Sequence, residues 1–331
     1  MPVAGIDVSH KTLVVAIRKN AHTGKPRQFE NTAGGHRGVI KALRNAGVKR
    51  VCLEATGLYH LDLAVALHEA GLEIMVVNPR AAKRFAEAMQ TRTKTDAVDA
   101  GLLAEFCRRM PFEPWQKPND QALAVRACAR RLAALNKART QAKNQHHAAV
   151  QTTSTPPFLI ADLEQGIAEL EARIGHLREQ ALGLIAGDAS LQQTLELLVT
   201  VKGIAEASAI QLMGELLVLP PDMSARQWVA MAGLDPRAHE SGTSVQKKPR
   251  LSKAGNRYLR MALYMPALGA SRYDPSVNAY YRHLVEDRGL KKIQAICAVM
   301  RKLLHAIHAM LKTQQPFDNR RFYTPVETAT G

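Results

Sequence analysis

The sequence has 331 residues, which is long enough for two or three domains that each bury a core. Hydrophobic residues make up 46% of the chain, and this share excludes wholesale disorder. Lysine and arginine outnumber aspartate and glutamate by 45 to 29, which leaves a net charge of +16. Such an excess favours a polyanionic partner, and nucleic acid is the most common one.

Membrane and redox signals are weak throughout the sequence. No apolar run reaches the roughly 18 residues of a spanning helix, and the start "MPVAGIDVSH" lacks a charged-then-apolar signal pattern. We therefore expect a cytoplasmic protein with no membrane partner. Cys52, Cys107, Cys128 and Cys297 show no CxxC spacing, so they are expected to be reduced thiols rather than zinc ligands or disulfides.

The first 112 residues alternate between strand and helix patterns. Apolar alternation and short β-branched runs predict the strands, and apolar residues spaced by three and four predict the helices. The predicted elements are, in chain order, strands in "VAGIDV", "KTLVVAIRK" and "RQFENT", a helix over residues 35–46, a strand in "RVCLEAT", a helix in "LYHLDLAVALHEAG", a strand in "LEIMVVNP" and a helix in "DAVDAGLLAEFCRRM". This order predicts an α/β domain with a mixed sheet over residues 1–112.

A proline-rich linker and two long helices are predicted for residues 113–187. The stretch "PFEPWQKPND" carries three prolines in ten residues, and "TTSTPP" separates the two helices near residue 152. The second helix has a heptad-like seam formed by Ile160, Leu163, Ile167, Leu170, Ile174 and Leu177. The seam favours a coiled-coil hairpin or a dimerising helix pair, and packing on its own domain is the alternative.

The first of these two helices is strongly basic. It has no acidic residue between Gln121 and Ala161, and its cations are Arg126, Arg130, Arg131, Lys137, Arg139 and Lys143. We interpret it as a surface for a nucleic-acid backbone, with A-form RNA well suited because it is recognised through phosphates and 2′-hydroxyls. A solvated coiled-coil face is the alternative.

A mostly helical region is predicted for residues 188–331. The segment "LLVTVKGIAEASAIQLMGEL" resembles a helix-hairpin-helix with Gly203 in the turn, although Ala205 stands where a second glycine is usual. A plain helical turn is the alternative. Further along, "HESGTSVQKKPRLSKAGNRYLRMALY" opens with a serine and contains no carboxylate after it. Its cations are Lys247, Lys248, Arg250, Lys253, Arg257 and Arg260, which we expect to hold a DNA backbone.

Four carboxylates in the first domain are candidates for a metal site. Asp7 and Glu54 end two predicted strands, whereas Asp96 and Asp99 lie three apart at a helix start and so share a face. Four converging carboxylates cannot all stay ionised without a cation, which favours Mg²⁺ or Mn²⁺. Separately, Asp7 could cap a turn, and Asp96 could be an acid favoured by the helix dipole.

Ser241, in "HESGTS", is a candidate nucleophile. A serine hydroxyl is weak and needs a base, a metal ion or both, and the small neighbours would let it approach a phosphorus atom. His239 and Glu240 are close in sequence, but no histidine–carboxylate relay is evident. A solvated loop serine beside basic residues is the alternative interpretation.

Three segments of the chain together resemble the DEDD transposases of the insertion-sequence 110 family. They are "GIDVSHKTLVVA", "CLEATGLYHLDLAVALHEAGLEIMVVNPRAAKRFAEAMQTRTKTDAVDAGLLAEFC" and "HESGTSVQKKPRLSKAGNRYLRMALYMPAL". The resemblance implies a RuvC-like (ribonuclease H-like) catalytic domain over residues 1–112, a linker and coiled coil over 113–187, and a mostly α-helical transposase domain over 188–331. It also implies a protein associated with a bacterial-type nucleoid.

The resemblance assigns roles to the candidate residues. By position, Asp7, Glu54, Asp96 and Asp99 would bind Mg²⁺, and Ser241 would join covalently to a DNA phosphate. Members of the family use a structured bridge RNA that pairs with target and donor DNA, so both nucleic acids become expected partners. Because strand exchange handles four DNA ends, we expect dimers that assemble into tetramers.

Two other functions are compatible with these residues. A hydrolytic RuvC-like nuclease would use the four carboxylates and metal-activated water, and Ser241 would be idle. A non-catalytic nucleic-acid-binding protein would need only the basic surfaces. The first would form no covalent protein–DNA adduct, and the second would tolerate loss of the carboxylates.

Overall fold

The computed structural model describes residues 1–324, except Ala21, Thr56, Leu58, Arg92 and residues 242–244. For residues 238–241 and 245–249 it describes the backbone. The chain forms two compact units, Met1–Lys117 and Pro118–Gly331. Within the described residues, no helix is long and apolar enough to cross a membrane. The four cysteines are free, and Cys52 and Cys107 are buried.

A mixed β-sheet forms the centre of the first unit, as the sequence predicts. Its strands are β1 (Val3–Val8), β2 (Thr12–Lys19), β3 (His22–Thr23), β4 (Arg27–Glu30), β5 (Arg50–Glu54) and β6 (Glu73–Val77). The order is β3-β2-β1-β5-β6, and β4 also pairs with β2. Strand β1 runs antiparallel to β2 and parallel to β5, which in turn runs parallel to β6.

Helices cover both faces of this sheet. They are α1 (Ala33–Asn45), α2 (Leu61–Glu69), α3 (Pro79–Ala88) and α4 (Asp96–Arg109). One face packs Ile6 and Leu53 against α1 and α2, whereas the other packs Val3 and Cys52 against α4. Because successive strand residues point to opposite faces, burial on both sides explains the nearly continuous apolar runs of the central strands.

Helix α3 was not predicted from the sequence. It begins with Pro79 after Asn78, whose side chain accepts a hydrogen bond from the Arg80 amide. None of its residues is fully buried, and Ala81, Ala82 and Phe85 pack only partly against the sheet. Its apolar residues nevertheless share one face, and a proline in the first turn is typical of a helix start, so the sequence does carry a signal for this helix.

Helix α4 approaches β1 at backbone distance. A Cβ atom added at Gly5 would lie 2.1 Å from the Ala100 carbonyl oxygen and 2.2 Å from the Ala104 nitrogen. Only glycine therefore lets the helix lie this close to the strand. The contact fixes the helix over the centre of the sheet.

A buried carboxylate holds the other end of α4. Glu105 is 5% exposed, and its carboxylate lies 2.7 Å from Arg18 Nε of β2. Arg108 and Arg109 also bond to it from the same helix. Burial alone would raise the pKa of Glu105, but hydrogen bonds from Arg108 and Arg109 and the charge of Arg18 outweigh it and lower the pKa. The ion pair ties α4 to β2.

Two long helices open the second unit. Helix α5 (Asp120–Val150) and helix α6 (Pro157–Ala186) run antiparallel, as shown by the ion pair of Lys143 with Glu171 and the hydrogen bond between His146 and Glu164. The predicted break between them is confirmed. The heptad-like seam from Ile160 to Leu177 is only partly buried along its whole length. The coiled-coil interpretation stays a prediction.

Helices also form most of the remaining second unit. They are α7 (Ala189–Val199), α8 (Glu206–Leu216), α9 (Ala225–Ala232), α10 (Arg257–Tyr273), α11 (Pro275–Arg282) and α12 (Lys292–Thr313), with a π-helical turn at His283–Asp287 and a 3-10 turn at Asn319–Arg321. Buried side chains from α5 to α12 share one apolar core. Gly203, between α7 and α8, has a φ of +100°, and an added Cβ would lie 2.7 Å from the Pro266 carbonyl oxygen.

An antiparallel hairpin interrupts the helices of the second unit. Its strands are β7 (Pro236–Ser241) and β8 (Val245–Leu251), and we refer to the pair as the serine hairpin. The hairpin was not predicted, because "PRAHES" and "VQKKPRL" show no clear apolar alternation. Ser241 pairs with Val245 at its far end.

Replacing Gly5 by alanine should destabilise the first unit by at least about 3 kcal/mol, because the new methyl group meets helix backbone that cannot move aside. The matched control is Gly101→Ala on α4, where an added Cβ has no atom within 4 Å. That variant should gain about 0.5–1 kcal/mol from helix propensity. Urea denaturation measures both, and equal midpoints for the two variants would contradict the close contact.

Candidate active site

Asp7 and Glu54 lie side by side at one edge of the sheet. In the parallel pairing of β1 with β5, Ile6 is opposite Leu53, so the next residues along the strands are Asp7 and Glu54. Asp7 is two residues after Gly5 and therefore points to the face covered by α4. Both predicted strand-end carboxylates reach the same side of the sheet.

Asp96 and Asp99 form the first turn of α4. Thr95 caps the helix, and its hydroxyl accepts a hydrogen bond from the Val98 amide at 3.3 Å. Asp96 is exposed and Asp99 is partly buried. The positive end of the helix dipole favours both carboxylates here, so the local sequence stabilises this position even without a ligand.

One cavity of about 670 Å³ is lined by all four carboxylates. We call Asp7, Glu54, Asp96 and Asp99 the acid site. Residues of α3 and of the segment before α4 complete the lining, and they include Lys83, Glu87, Thr91, Thr93 and Lys94. The lining thus combines the four carboxylates and Glu87 with two lysines.

Burial and the neighbouring carboxylates change the pKa of Asp7. Its pKa is raised to about 6, chiefly by burial and then by the charges of Asp96, Asp99 and Glu54, and the Lys94 charge lowers it only in part. A carboxyl group at this position is therefore partly protonated near neutral pH. A bound cation would relieve both the repulsion and the desolvation.

Carboxylate oxygens are the donors that Mg²⁺ and Mn²⁺ prefer, so the donor set is suited to either ion. Among the residues that the structure describes, however, no three or more His, Cys, Asp or Glu side chains form a ready-made metal cluster. The four acids share the cavity without closing around a common point. The metal assignment stays a prediction.

The side chain of Ser241 lies outside the described residues, as do those of Lys247 and Lys248. The backbone places Ser241 at the end of β7, and both lysines lie on β8. Arg250 and Lys253 are exposed near the base of the hairpin. The role predicted for Ser241 stays a prediction.

Arg257 and Arg260 lie at the start of α10. Arg257 is exposed, with its guanidinium 4.9 Å from the centre of the Tyr258 ring. Arg260 instead donates to the Ala232 carbonyl oxygen at 2.8 Å, so this cation has a structural contact.

The six predicted contact residues of α5 have different surroundings. Arg131, Lys137 and Lys143 are exposed and Arg139 is partly exposed, but Arg126 and Arg130 face the buried carboxylate of Glu215. Sequence reasoning missed Glu215, whose only signal is an acid inside the apolar stretch of α8. It also missed Lys94, although "TKTD" places a cation two residues before Asp96. The nucleic-acid surface itself stays a prediction.

Asp7→Asn should stabilise the metal-free protein at pH 8. Because the folded pKa of about 6 exceeds the ordinary value of 3.8, the wild type loses stability as pH rises from about 4 to about 6. The gain should be on the order of 1 kcal/mol above pH 6, reduced by solvent screening of the partly exposed carboxyl, and should vanish below pH 4. Unfolding in a chelator across pH measures it, with exposed Asp162→Asn as control. A pH-independent difference would contradict the shift.

Comparison with known proteins places this chain in a protein family. Residues 4–155 match the DEDD transposase profile of the IS110 family, described as "Transposase", and residues 195–282 match "Transposase IS116/IS110/IS902 family". The predicted fold class is confirmed in its α/β N-terminal part, which has a mixed sheet, and in its mostly helical remainder.

Similar proteins come from several bacteria. The pilin gene-inverting protein of Moraxella lacunata is 31% identical, with 83% of this chain and 84% of the relative covered. A probable family 20 transposase of Pseudomonas aeruginosa is 28% identical, covering 64% of this chain and 68% of the relative. Thermus thermophilus RuvC, solved with a Holliday junction substrate, is 17% identical with a TM-score of 0.28, covering 34% of this chain and 99% of RuvC. The chain belongs to the IS110 family of transposases.

Proposed function

We propose that this transposase cleaves and rejoins DNA with Ser241 as nucleophile and with a divalent metal ion held by the acid site. The observation that carries the proposal is the single cavity lined by Asp7, Glu54, Asp96 and Asp99. The dipole of α4 favours Asp96 and Asp99 at the helix start, but it does not account for the partly buried Asp7 beside them. The proximity of the four carboxylates raises the free energy of the metal-free protein.

Mg²⁺ or Mn²⁺ suits the site on chemical grounds. Asp7 and Glu54 would hold it from the sheet, and Asp96 and Asp99 from the helix. When bound, the ion supplies positive charge that lowers the pKa of an attacking oxygen and stabilises charge on the phosphate. Lys83 and Lys94 line the same cavity and are suited to hold the neighbouring backbone phosphates.

Ser241 would carry the covalent step. Its oxygen forms a bond to phosphorus, the bond from phosphorus to one deoxyribose oxygen breaks, and the serine proton leaves to a base. One phosphodiester replaces another, so the reverse attack by a DNA hydroxyl can rejoin strands without an external energy source. The end of a two-stranded hairpin is a favourable place for such a residue, because a loop end can enter a substrate groove.

Target and donor DNA are the proposed substrates, and a structured bridge RNA is the proposed guide. The net charge of +16 and the exposed cations of α5 support a polyanionic partner. RNA guidance rests on the family resemblance alone. A dimer that assembles into a tetramer agrees with the partly exposed seam of α6, which a second copy could cover.

Ser241→Ala should abolish both excision of the element and a denaturant-resistant protein–DNA adduct, with losses of at least about 100-fold. The measurement uses cells that carry the gene on a plasmid with its native flanking DNA. Ser244→Ala is the matched control in the same segment and should keep both activities. Excision without an adduct, unaffected by Ser241→Ala, would instead identify a hydrolytic nuclease that uses water.

Millimolar Mg²⁺ should raise the melting temperature of the purified protein by a few degrees, because the ion binds the folded state and relieves repulsion. Asp99→Asn should remove most of this shift, and Asp162→Asn on α6 should keep it. A chelator should reverse the effect in the wild type. Equal shifts in all three proteins would place the ion elsewhere and overturn the metal assignment.

A further inference from the structure

A buried carboxylate lies between the basic helix α5 and the base of the serine hairpin. Glu215 on α8 is 1% exposed. It accepts hydrogen bonds from Arg130 Nε at 2.8 Å and Arg130 Nη2 at 3.1 Å, and from Asn256 Nδ2 at 2.5 Å, while Arg126 Nε lies 3.9 Å away. A carboxylate this deep needs such partners, because a buried charge without them is strongly destabilising.

Backbone contact between two helices puts Glu215 in reach of the arginines. At Gly214, an added Cβ would lie 2.7 Å from Ala129 Cβ and 3.0 Å from Arg126 Cα. Helices α5 and α8 therefore touch through glycine and alanine. Glu215, the residue after this glycine, is then close enough to contact Arg126 and Arg130.

Asn256 uses both ends of its amide. Its oxygen caps α10 by accepting hydrogen bonds from the Tyr258 and Leu259 amides at 2.9 and 3.2 Å. Its nitrogen donates to Glu215, and its backbone N–H donates to the Met231 carbonyl oxygen at 2.6 Å. The start of α10 is thus oriented by a carboxylate on another helix.

The same loop fixes the base of the serine hairpin. Ser252 donates its hydroxyl to Asp235 at 2.5 Å and its backbone N–H to the Asp235 carbonyl oxygen at 2.9 Å. Lys253 donates its backbone N–H to the Gly233 carbonyl oxygen at 3.1 Å. A Cβ at Gly255 would lie 2.1 Å from the Met231 carbonyl oxygen, so this loop is packed at backbone distance on the end of α9. Asn256 and the hairpin base thus belong to one loop that packs on the end of α9.

We propose that Glu215 is a positioning residue for the serine hairpin, acting through Asn256, and that Arg130 ties the same carboxylate to α5. The inference rests on the proposed role of Ser241, which ends the hairpin. Glu215 touches no reacting atom. It sets the angle at which the hairpin leaves the helical core.

The length of the serine hairpin determines how far a tilt at its base moves Ser241. Strand β8 from Leu251 to Val245 spans about 20 Å at roughly 3.4 Å per residue. A tilt of about 10° at the base then moves the far end by about 3.5 Å. In-line attack on phosphorus tolerates only displacements of the nucleophile that are well below 1 Å. A change at Glu215 that tilts the hairpin base by only a few degrees would therefore be enough to misplace Ser241.

Stability alone does not explain the arrangement. A buried ion pair often contributes no more than apolar residues of the same volume, because desolvation offsets the attraction. Hydrogen bonds with fixed directions, as between Glu215, Arg130 and Asn256, instead specify one orientation among several packed alternatives.

The decisive variant is Asn256→Asp. Aspartate caps a helix as well as asparagine does, so the start of α10 is kept, but two carboxylates now face each other and the link to Glu215 is lost. Excision should fall at least about tenfold. Combining it with Glu215→Gln restores one amide donor and one carboxylate acceptor with their places exchanged, and should recover activity to within about threefold of the wild type.

Two controls separate positioning from folding. Glu206→Gln, on the exposed first turn of α8, should be silent. Val299→Ala in the buried face of α12 lowers stability without touching the link, and its melting temperature calibrates what instability alone does to excision. Excision that follows melting temperature across all variants, or a double variant worse than both singles, would overturn the proposal.

Hydrogen exchange tests whether Glu215 positions the serine hairpin, and it does so without any DNA reaction. In the full-length protein, the amides of residues 245–251 should exchange faster in Asn256→Asp and recover in the double variant, whereas the Leu259 amide should be unchanged because the aspartate keeps the cap. Unchanged exchange in Asn256→Asp would refute the link even if excision fell. Conversely, if Ser241→Ala keeps excision, the proposed nucleophile fails while the exchange result still decides whether Glu215 positions the hairpin.

Discussion

The approach of α4 to β1 at Gly5 is the contact on which the first unit depends. Because no side chain separates the two backbones there, the first turn of the helix lies at the carboxyl end of the strand. That edge also carries Asp7 and Glu54. The same contact thus brings together acids that lie almost ninety residues apart in the sequence, and the ion pair of Glu105 with Arg18 holds the helix against sliding.

Much of the first unit could be predicted from the sequence because its signals are local. Apolar runs specify β1 and β5, and spacing by three and four specifies α4. Two elements were not predicted, for different reasons. Helix α3 is amphipathic and has a proline in its first turn, so the sequence could have predicted it. The strands of the serine hairpin are rich in charge rather than alternating, and periodicity does not record the pairing that forms them.

The acid site, too, was predictable from the sequence only in part. Strand ends and a helix start predicted that Asp7, Glu54, Asp96 and Asp99 would meet, and the structure places all four in one cavity. The sequence predicted that four converging carboxylates cannot all stay ionised, but only the structure shows that the raised pKa falls on Asp7 and that burial is its largest cause. For Ser241, chemistry alone left a solvated loop serine as the alternative, and the resemblance assigned the nucleophile role. Glu215 became visible only once Gly214 had brought α8 against α5.

The pairing of Glu215 with Arg126 and Arg130 alters how the charge of α5 should be counted. A cation that meets a nucleic-acid phosphate displaces condensed counterions, and this release is what makes affinity fall with ionic strength. An arginine that is already paired with a carboxylate attracts few counterions to the interface, so it adds little to this release. At the predicted nucleic-acid surface of α5, counterion release would therefore come from the outward residues, such as Arg131 and Lys137, and the total number of cations overstates the expected dependence on salt.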